Sequence, residues 1–127
     1  MADFRNLRVW QKANALSVAT AEALDGVRGH AGVILRGQLL RATFSIQANI
    51  AEGSSKRSDR EFARYIRIAL GSSTESASHL ILLRDLGAID AAAFTSLDSR
   101  LDEVGKMLSG LETRLSSRDP DTPDSQC

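Results

Sequence analysis

The chain has 127 residues, of which 43% are apolar and 5% aromatic, and 16 Lys and Arg balance 16 Asp and Glu. That suits one globular domain with an aliphatic core, and it excludes a uniformly basic nucleic-acid binder as well as any run near the ~18 apolar residues of a membrane span. The single cysteine, Cys127, excludes an internal disulfide framework; with no charged-then-apolar leader at Met1–Arg5, the expected compartment is the cytoplasm.

Four helical segments are expected. The first runs from about Asn6 to Asp25, with Val9, Ala13, Leu16, Thr20 and Leu24 facing inward and Trp10 at the edge of that stripe. Gly26 and Gly29 end it.

The second runs from about Ala31 to Glu52, and Gly53 is expected to stop it in the left-handed conformation of a helix C-terminus. Leu35, Leu39, Ala42, Ile46 and Ile50 form one apolar stripe, and Val33, Gly37, Leu40, Phe44, Ala48 and Ala51 form another. Between them lies a wedge of Gln38, Ser45, Asn49 and Glu52. A helix with two apolar stripes has more to cover than one bundle core, which predicts an oligomer.

Ser58-Asp59-Arg60-Glu61 is a capping box that opens the third helix. Its inward stripe is Phe62, Ile66, Ala69, Ser73, Ser76, Leu80 and Leu83. A second runs through Tyr65, Ile68, Ser72, Glu75, His79, Leu82 and Leu86, and Leu86-Gly87 closes the helix. Asp90 is the N-cap of the fourth helix, with Ile89 and Phe94 placed as a hydrophobic staple. That helix carries one stripe, from Phe94 through Leu97, Leu101, Val104, Leu108 and Leu111 to Leu115.

No segment alternates at period two, so the fold class is all-α. Short loops between long helices give an antiparallel up-down-up-down four-helix bundle over residues 1–115. Ser116–Cys127, polar and without periodicity, is expected to be a disordered tail. Charge is unevenly placed: residues 1–67 hold 11 Lys and Arg against 6 Asp and Glu, and residues 68–127 hold 5 against 10.

Three stretches carry a resemblance: Phe4-x-x-Leu7-x-Val9-Trp10-Gln11-Lys12-Ala13, Arg41-Ala42-x-x-Ser45-Ile46-x-x-Asn49-Ile50-Ala51-Glu52-Gly53, and Glu61-Phe62 with Ile68-Ala69-x-Gly71-Ser72-x-x-Glu75. Together they resemble the bacterial four-helix-bundle family, some of whose members are encoded in intervening sequences of 23S ribosomal RNA genes and are labelled ribosomal protein. The accessory variability determinant of diversity-generating retroelements, which partners a reverse transcriptase, is related. The resemblance implies a ring-shaped homopentamer, no enzyme activity and an association with nucleic acid. The chain departs from the family pattern at Gln47, where relatives often carry proline, at Ser73 and Ser76, where they carry apolar residues, and in its zero net charge.

Ser45, Asn49, Glu52, Glu75 and His79 form a candidate polar network at the seam of helices two and three, with Asn49 bonding the Glu75 carboxylate. The competing catalytic reading makes Glu75 and His79 an acid and a base, but no activated nucleophile accompanies them. A di-metal site would need inward carboxylates and two Glu-x-x-His pairs; the chain has only His30 and His79. No catalytic, metal or cofactor residue is therefore expected, and no small-molecule substrate is identified.

Lys56, Arg57, Arg60, Arg64 and Arg67 are the candidate phosphate or RNA contacts, against a plainer reading as solvated, ion-paired cations. Val33, Leu40, Phe44, Ala48, Tyr65 and Ile68 are the candidate oligomer interface. Trp10, with Phe4 and Leu7, fits an interface anchor or a core residue equally, and Gly71 suggests a close helix approach. The expected function is a non-catalytic homo-oligomeric scaffold or adaptor, whose partners are its own copies and RNA or a nucleic-acid-processing protein. The alternative is an RNA-binding module built on the basic start of helix three.

Overall fold

The computed structural model describes residues 3–118. A short 3-10 turn at Phe4–Asn6 precedes four helices: α1 (Arg8–Leu24), α2 (His30–Ser54), α3 (Asp59–Asp85) and α4 (Ala91–Arg118). Each helix packs on its chain neighbours, and α1 closes against α4. The result is the expected up-down-up-down bundle, with no strand among the described residues.

Local chemistry sets the helix ends. Asp3 accepts from the Arg5 amide at 3.0 Å and caps the opening turn. The hydrogen bond from the Arg5 guanidinium holds the Asp3 carboxyl below its ordinary pKa. Leu7 is then extended (φ −75°, ψ 123°), so α1 starts at Arg8 and not at Asn6. Ser58 accepts from the Glu61 amide at 3.1 Å, and Asp90 from the Ala93 amide at 2.7 Å, as their N-cap assignments require. Gly87, at φ +71°, lets the Ala88 amide reach back to the Leu83 carbonyl at 2.9 Å and close α3.

Two expected ends are corrected. Gly53 does not terminate α2 in the left-handed region, because the helix continues to Ser54 and the hydroxyls of Ser54 and Ser55 bond the carbonyls of Ala51 and Glu52 at 2.7 and 2.6 Å. Gly53 serves close packing instead: a Cβ there would sit 2.7 Å from the Tyr65 Cβ. At the other terminus, Ser116–Arg118 are helical and not tail. Ser116 bonds Glu112 at 2.7 Å and Arg118 pairs with Asp59 at 3.2 Å, extending α4 past Leu115. The remainder of the expected tail, 119–127, lies outside the described residues.

The inward stripes are buried as their periodicity demands, except that Phe94 and Leu111 of α4 are only half-buried and that on α3 Ala63 is buried where Phe62 is only half-buried. Two apolar clusters result. Val9, Ala13, Leu16, Ile46, Ile50, Ile66, Val104 and Leu108 belong to the larger; Leu24, Val27, Leu35, Leu39, Leu80, Leu83 and Leu97 form the smaller. At levels between them lie the buried hydroxyls of Ser17, Thr20, Thr43, Ser73 and Ser76. Thr43 and Ser76 share a hydrogen bond at 3.4 Å across α2 and α3, Ser17 reaches the Thr43 carbonyl at 3.4 Å, and Thr20 bonds Leu16 at 2.7 Å. No buried side-chain polar atom among the described residues lacks a partner, so the layer avoids the penalty of unsatisfied burial.

Candidate functional site

The polar wedge of α2 does meet α3, but through different partners from those expected. Ser45 Oγ lies 3.0 Å from Ser72 Oγ. Asn49 directs its amide to Ser45 on its own helix, to the carbonyl at 2.8 Å and the hydroxyl at 3.0 Å. Glu52 accepts from the Tyr65 hydroxyl at 3.3 Å. In the antiparallel register set by Ser45–Ser72 and Glu52–Tyr65, Asn49 comes level with Ile68 and Glu75 with Ala42. Asn49 and Glu75 are thus separated by about two helical turns, roughly 10 Å along the axis. The expected Asn49–Glu75 bond is ruled out by register.

Glu75 faces outward with its side chain 55% exposed, and its contact with His79, at 3.8 Å, lies within α3 itself. The five-residue network therefore divides into a Ser45–Asn49–Ser72 seam, a Glu52–Tyr65 contact and a loose Glu75–His79 pair. Ser72 and Thr43 were the residues missed. Ser72 was legible as a polar position of the second α3 stripe, but nothing in one sequence gives the register that pairs it with Ser45.

The basic residues at the start of α3 have different partners. Arg67 pairs with Glu112 of α4 at 3.1 Å. Lys56 and Arg64 both lie over the Tyr65 ring, 5.2 and 4.9 Å from its centre, a cation–π arrangement. Arg57 is exposed, and Arg60 is engaged within the chain. Acidic residues are interleaved: Asp59 holds Arg118 and Glu52 holds Tyr65.

The second α2 stripe faces away from the core. Val33, Phe44 and Ile68 are 45%, 43% and 42% exposed, and Ala48 is exposed. Leu40 is half-buried against the smaller apolar cluster, and Tyr65 is half-buried with two cations over its ring, so these two are less available than expected. Val18 and Ile34, which no stripe included, are also exposed. Val18 and Phe44 line an open groove of about 390 Å³ between α1 and α2. Trp10 is a packing residue: it meets Phe4 edge-on at 5.0 Å, and its indole N–H donates to Gln47 at 3.1 Å. Gly71 is exposed with nothing near a Cβ placed on it, so it marks no close approach.

A family model described as 23S rRNA-intervening sequence protein matches residues 5–110, which hold all of α1, α2 and α3 and most of α4. The chain belongs to the 23S rRNA-intervening sequence protein family. Within this family member, the Ser45–Gly53 motif forms the last turns of α2. It supplies the seam residues Ser45 and Asn49, the core residues Ile46 and Ile50, and the Gly53 approach to α3.

Among solved structures, the bundle is similar to the 1.70 Å crystal structure of a protein with unknown function from the S23 ribosomal protein family of Bacteroides thetaiotaomicron VPI-5482. The identity is 24% and the TM-score 0.75, covering 82% of this chain and 97% of that one. At that identity the likeness establishes the fold. No curated protein matches the chain. Among the described residues, no helix of this family member is long and apolar enough to cross a membrane, and no group of three or more His, Cys, Asp and Glu could hold a metal ion.

Proposed function

We propose that this protein is a non-catalytic homo-oligomeric scaffold or adaptor, pentameric and ring-shaped as its family resemblance implies. One observation carries the reading. Neither Val33 nor Phe44 of the outward α2 stripe belongs to the bundle core, and they remain 45% and 43% exposed along it. Large apolar side chains left exposed on one face of a helix suit protein–protein contact. The Val18–Phe44 groove and the exposed Ile68 widen the surface that a neighbouring copy would cover. Light scattering on the native protein at micromolar concentration tests this, and a monomer mass overturns it.

Phosphate contact at the start of α3 is the second reading, supported by the exposure of Arg57 and Arg64 on one corner of the bundle. The interleaved acids, and the pairing of Arg67 with Glu112, weigh towards the scaffold. RNA contact of this type would be backbone-directed and of low sequence specificity. Retention of single-stranded RNA on a filter at low salt tests it.

A further inference from the structure

Helices α1 and α4 close the bundle along the edge opposite the α2–α3 seam, and an open groove of about 400 Å³ lies between them. Its floor is aliphatic. Val9 is buried in the larger apolar cluster, and Leu7, Met107 and Leu111 are half-buried against it. The charged groups that line it are all of one sign: Arg8 on α1, and Lys106 and Arg114 on α4, with no lining carboxylate among the described residues. Lys106 is paired with Asp102 at 3.0 Å, one turn back on its own helix. Arg8 and Arg114 are exposed, and among the described residues neither side chain has an ion-pair or hydrogen-bond partner. The last lining residue, Gly110, lies inside α4, where glycine weakens a helix relative to alanine and where no positive φ calls for it. What it leaves is space. A Cβ there would meet Arg114 Nη1 at 3.5 Å, so the guanidinium folds back one turn along α4 and lies beside an unfilled stretch of groove.

We propose that the α1–α4 groove binds a straight-chain aliphatic carboxylate of medium length, its head group on Arg8 and Arg114 and its chain along Leu7, Val9, Met107 and Leu111. The volume falls within the range of about 300–1,000 Å³ usual for small-ligand sites, which are mostly apolar with a few placed polar groups. A cleft lined by one sign of charge over apolar walls concentrates the opposite ion, and each guanidinium presents a planar fork matched to a carboxylate. The floor then selects among anions. Inorganic phosphate and a nucleic-acid backbone have no apolar body to lay on it, whereas each methylene fully buried there adds about fourfold in affinity. From Lys106 to Arg114 the α4 wall spans about 12 Å, a length suited to a medium chain. The site uses neither the outward α2 stripe nor the cations at the start of α3, so its failure leaves both functional readings as they stand.

Sodium octanoate titrated into the isotope-labelled full-length protein at low salt tests this, with butyrate, octanol and inorganic phosphate as comparison ligands. The expected result is a saturable shift of the amide signals of Arg8, Val9 and Met107–Leu111, with octanoate binding at least tenfold more tightly than each comparison ligand. Arg8→Gln with Arg114→Gln should lower octanoate affinity at least tenfold with helical circular dichroism unchanged, because both side chains are exposed. Gly110→Leu, which fills the groove from a half-buried helical position, should abolish the shifts. Octanoate binding no tighter than butyrate or phosphate reduces the groove to a cationic patch and overturns the proposal. Octanol binding as tightly as octanoate removes the guanidiniums from the site and overturns it as well. So do octanoate shifts centred on the Val18–Phe44 groove, or no saturable shift in the millimolar range. These comparisons use the wild-type chain and decide the matter even where a variant fails to fold.

Discussion

Ser45 on α2 and Ser72 on α3 approach to 3.0 Å through their hydroxyls, and Asn49 closes on the same Ser45 oxygen, also at 3.0 Å. This small half-buried cluster links α2 and α3 at one level of their shared seam.

Removing it has a specific energetic signature. Ser45→Ala and Ser72→Ala are each expected to cost about 0.5–1.5 kcal/mol, with the double variant losing less than the sum because the two hydroxyls share one bond. By contrast, Asn49→Leu and Glu75→Gln are expected to be additive, since register keeps them roughly 10 Å apart. Urea unfolding of the two double-mutant cycles checks both statements, and coupling between Asn49 and Glu75 would contradict the register.

Two glycines should respond to alanine with opposite sign. At Gly53 the new Cβ would lie 2.7 Å from the Tyr65 Cβ and 2.9 Å from Phe62 Cδ1, a conflict at the root of a side chain that rotation cannot relieve. A loss of about 1–3 kcal/mol is expected from such overpacking. At Gly71 the Cβ meets nothing within 4 Å on an exposed helical position, so Gly71→Ala should stabilise by about 1 kcal/mol through helix propensity alone. Thermal unfolding of the pair reads the difference directly.

Phe44→Glu is expected to lower the native mass seen by light scattering while leaving helical circular dichroism unchanged. Phe44 is 43% exposed on the outward stripe, so the carboxylate is solvated in a single chain but desolvated in an apolar contact between copies. Unchanged mass would remove Phe44 from the interface.

If the α3 corner touches phosphates, Arg57→Ala with Arg64→Ala should weaken single-stranded RNA binding and reduce the slope of log affinity against log salt by about 0.7 per lost contact. Arg67→Ala should change that slope little, because Arg67 is paired with Glu112 at 3.1 Å. A salt titration of filter binding distinguishes these cases. Equal effects at Arg57 and Arg67 would mean that the Arg67–Glu112 pair opens on binding.

Periodicity and local capping chemistry determined the four helices, most of their inward stripes and the caps at Ser58, Asp90 and Gly87, because those depend on residues within a few positions of one another. The outward α2 stripe was legible for the same reason: Val33 and Phe44 fall on the wrong side of the helix to join Ile46. What one sequence lacks is the axial register between helices. Only the packed bundle decided that Ser45 meets Ser72 and that Asn49 is two turns from Glu75, and only the antiparallel return of α4 brought Glu112 to Arg67. Gly53 shows the same division. Its place at the end of a helical pattern was visible locally, but its use, as the point where Tyr65 presses against the α2 backbone, depends on a side chain 12 residues further along the chain. Those contacts are set by how side-chain volumes from separate helices interlock, a property of the assembled core and not of any one segment.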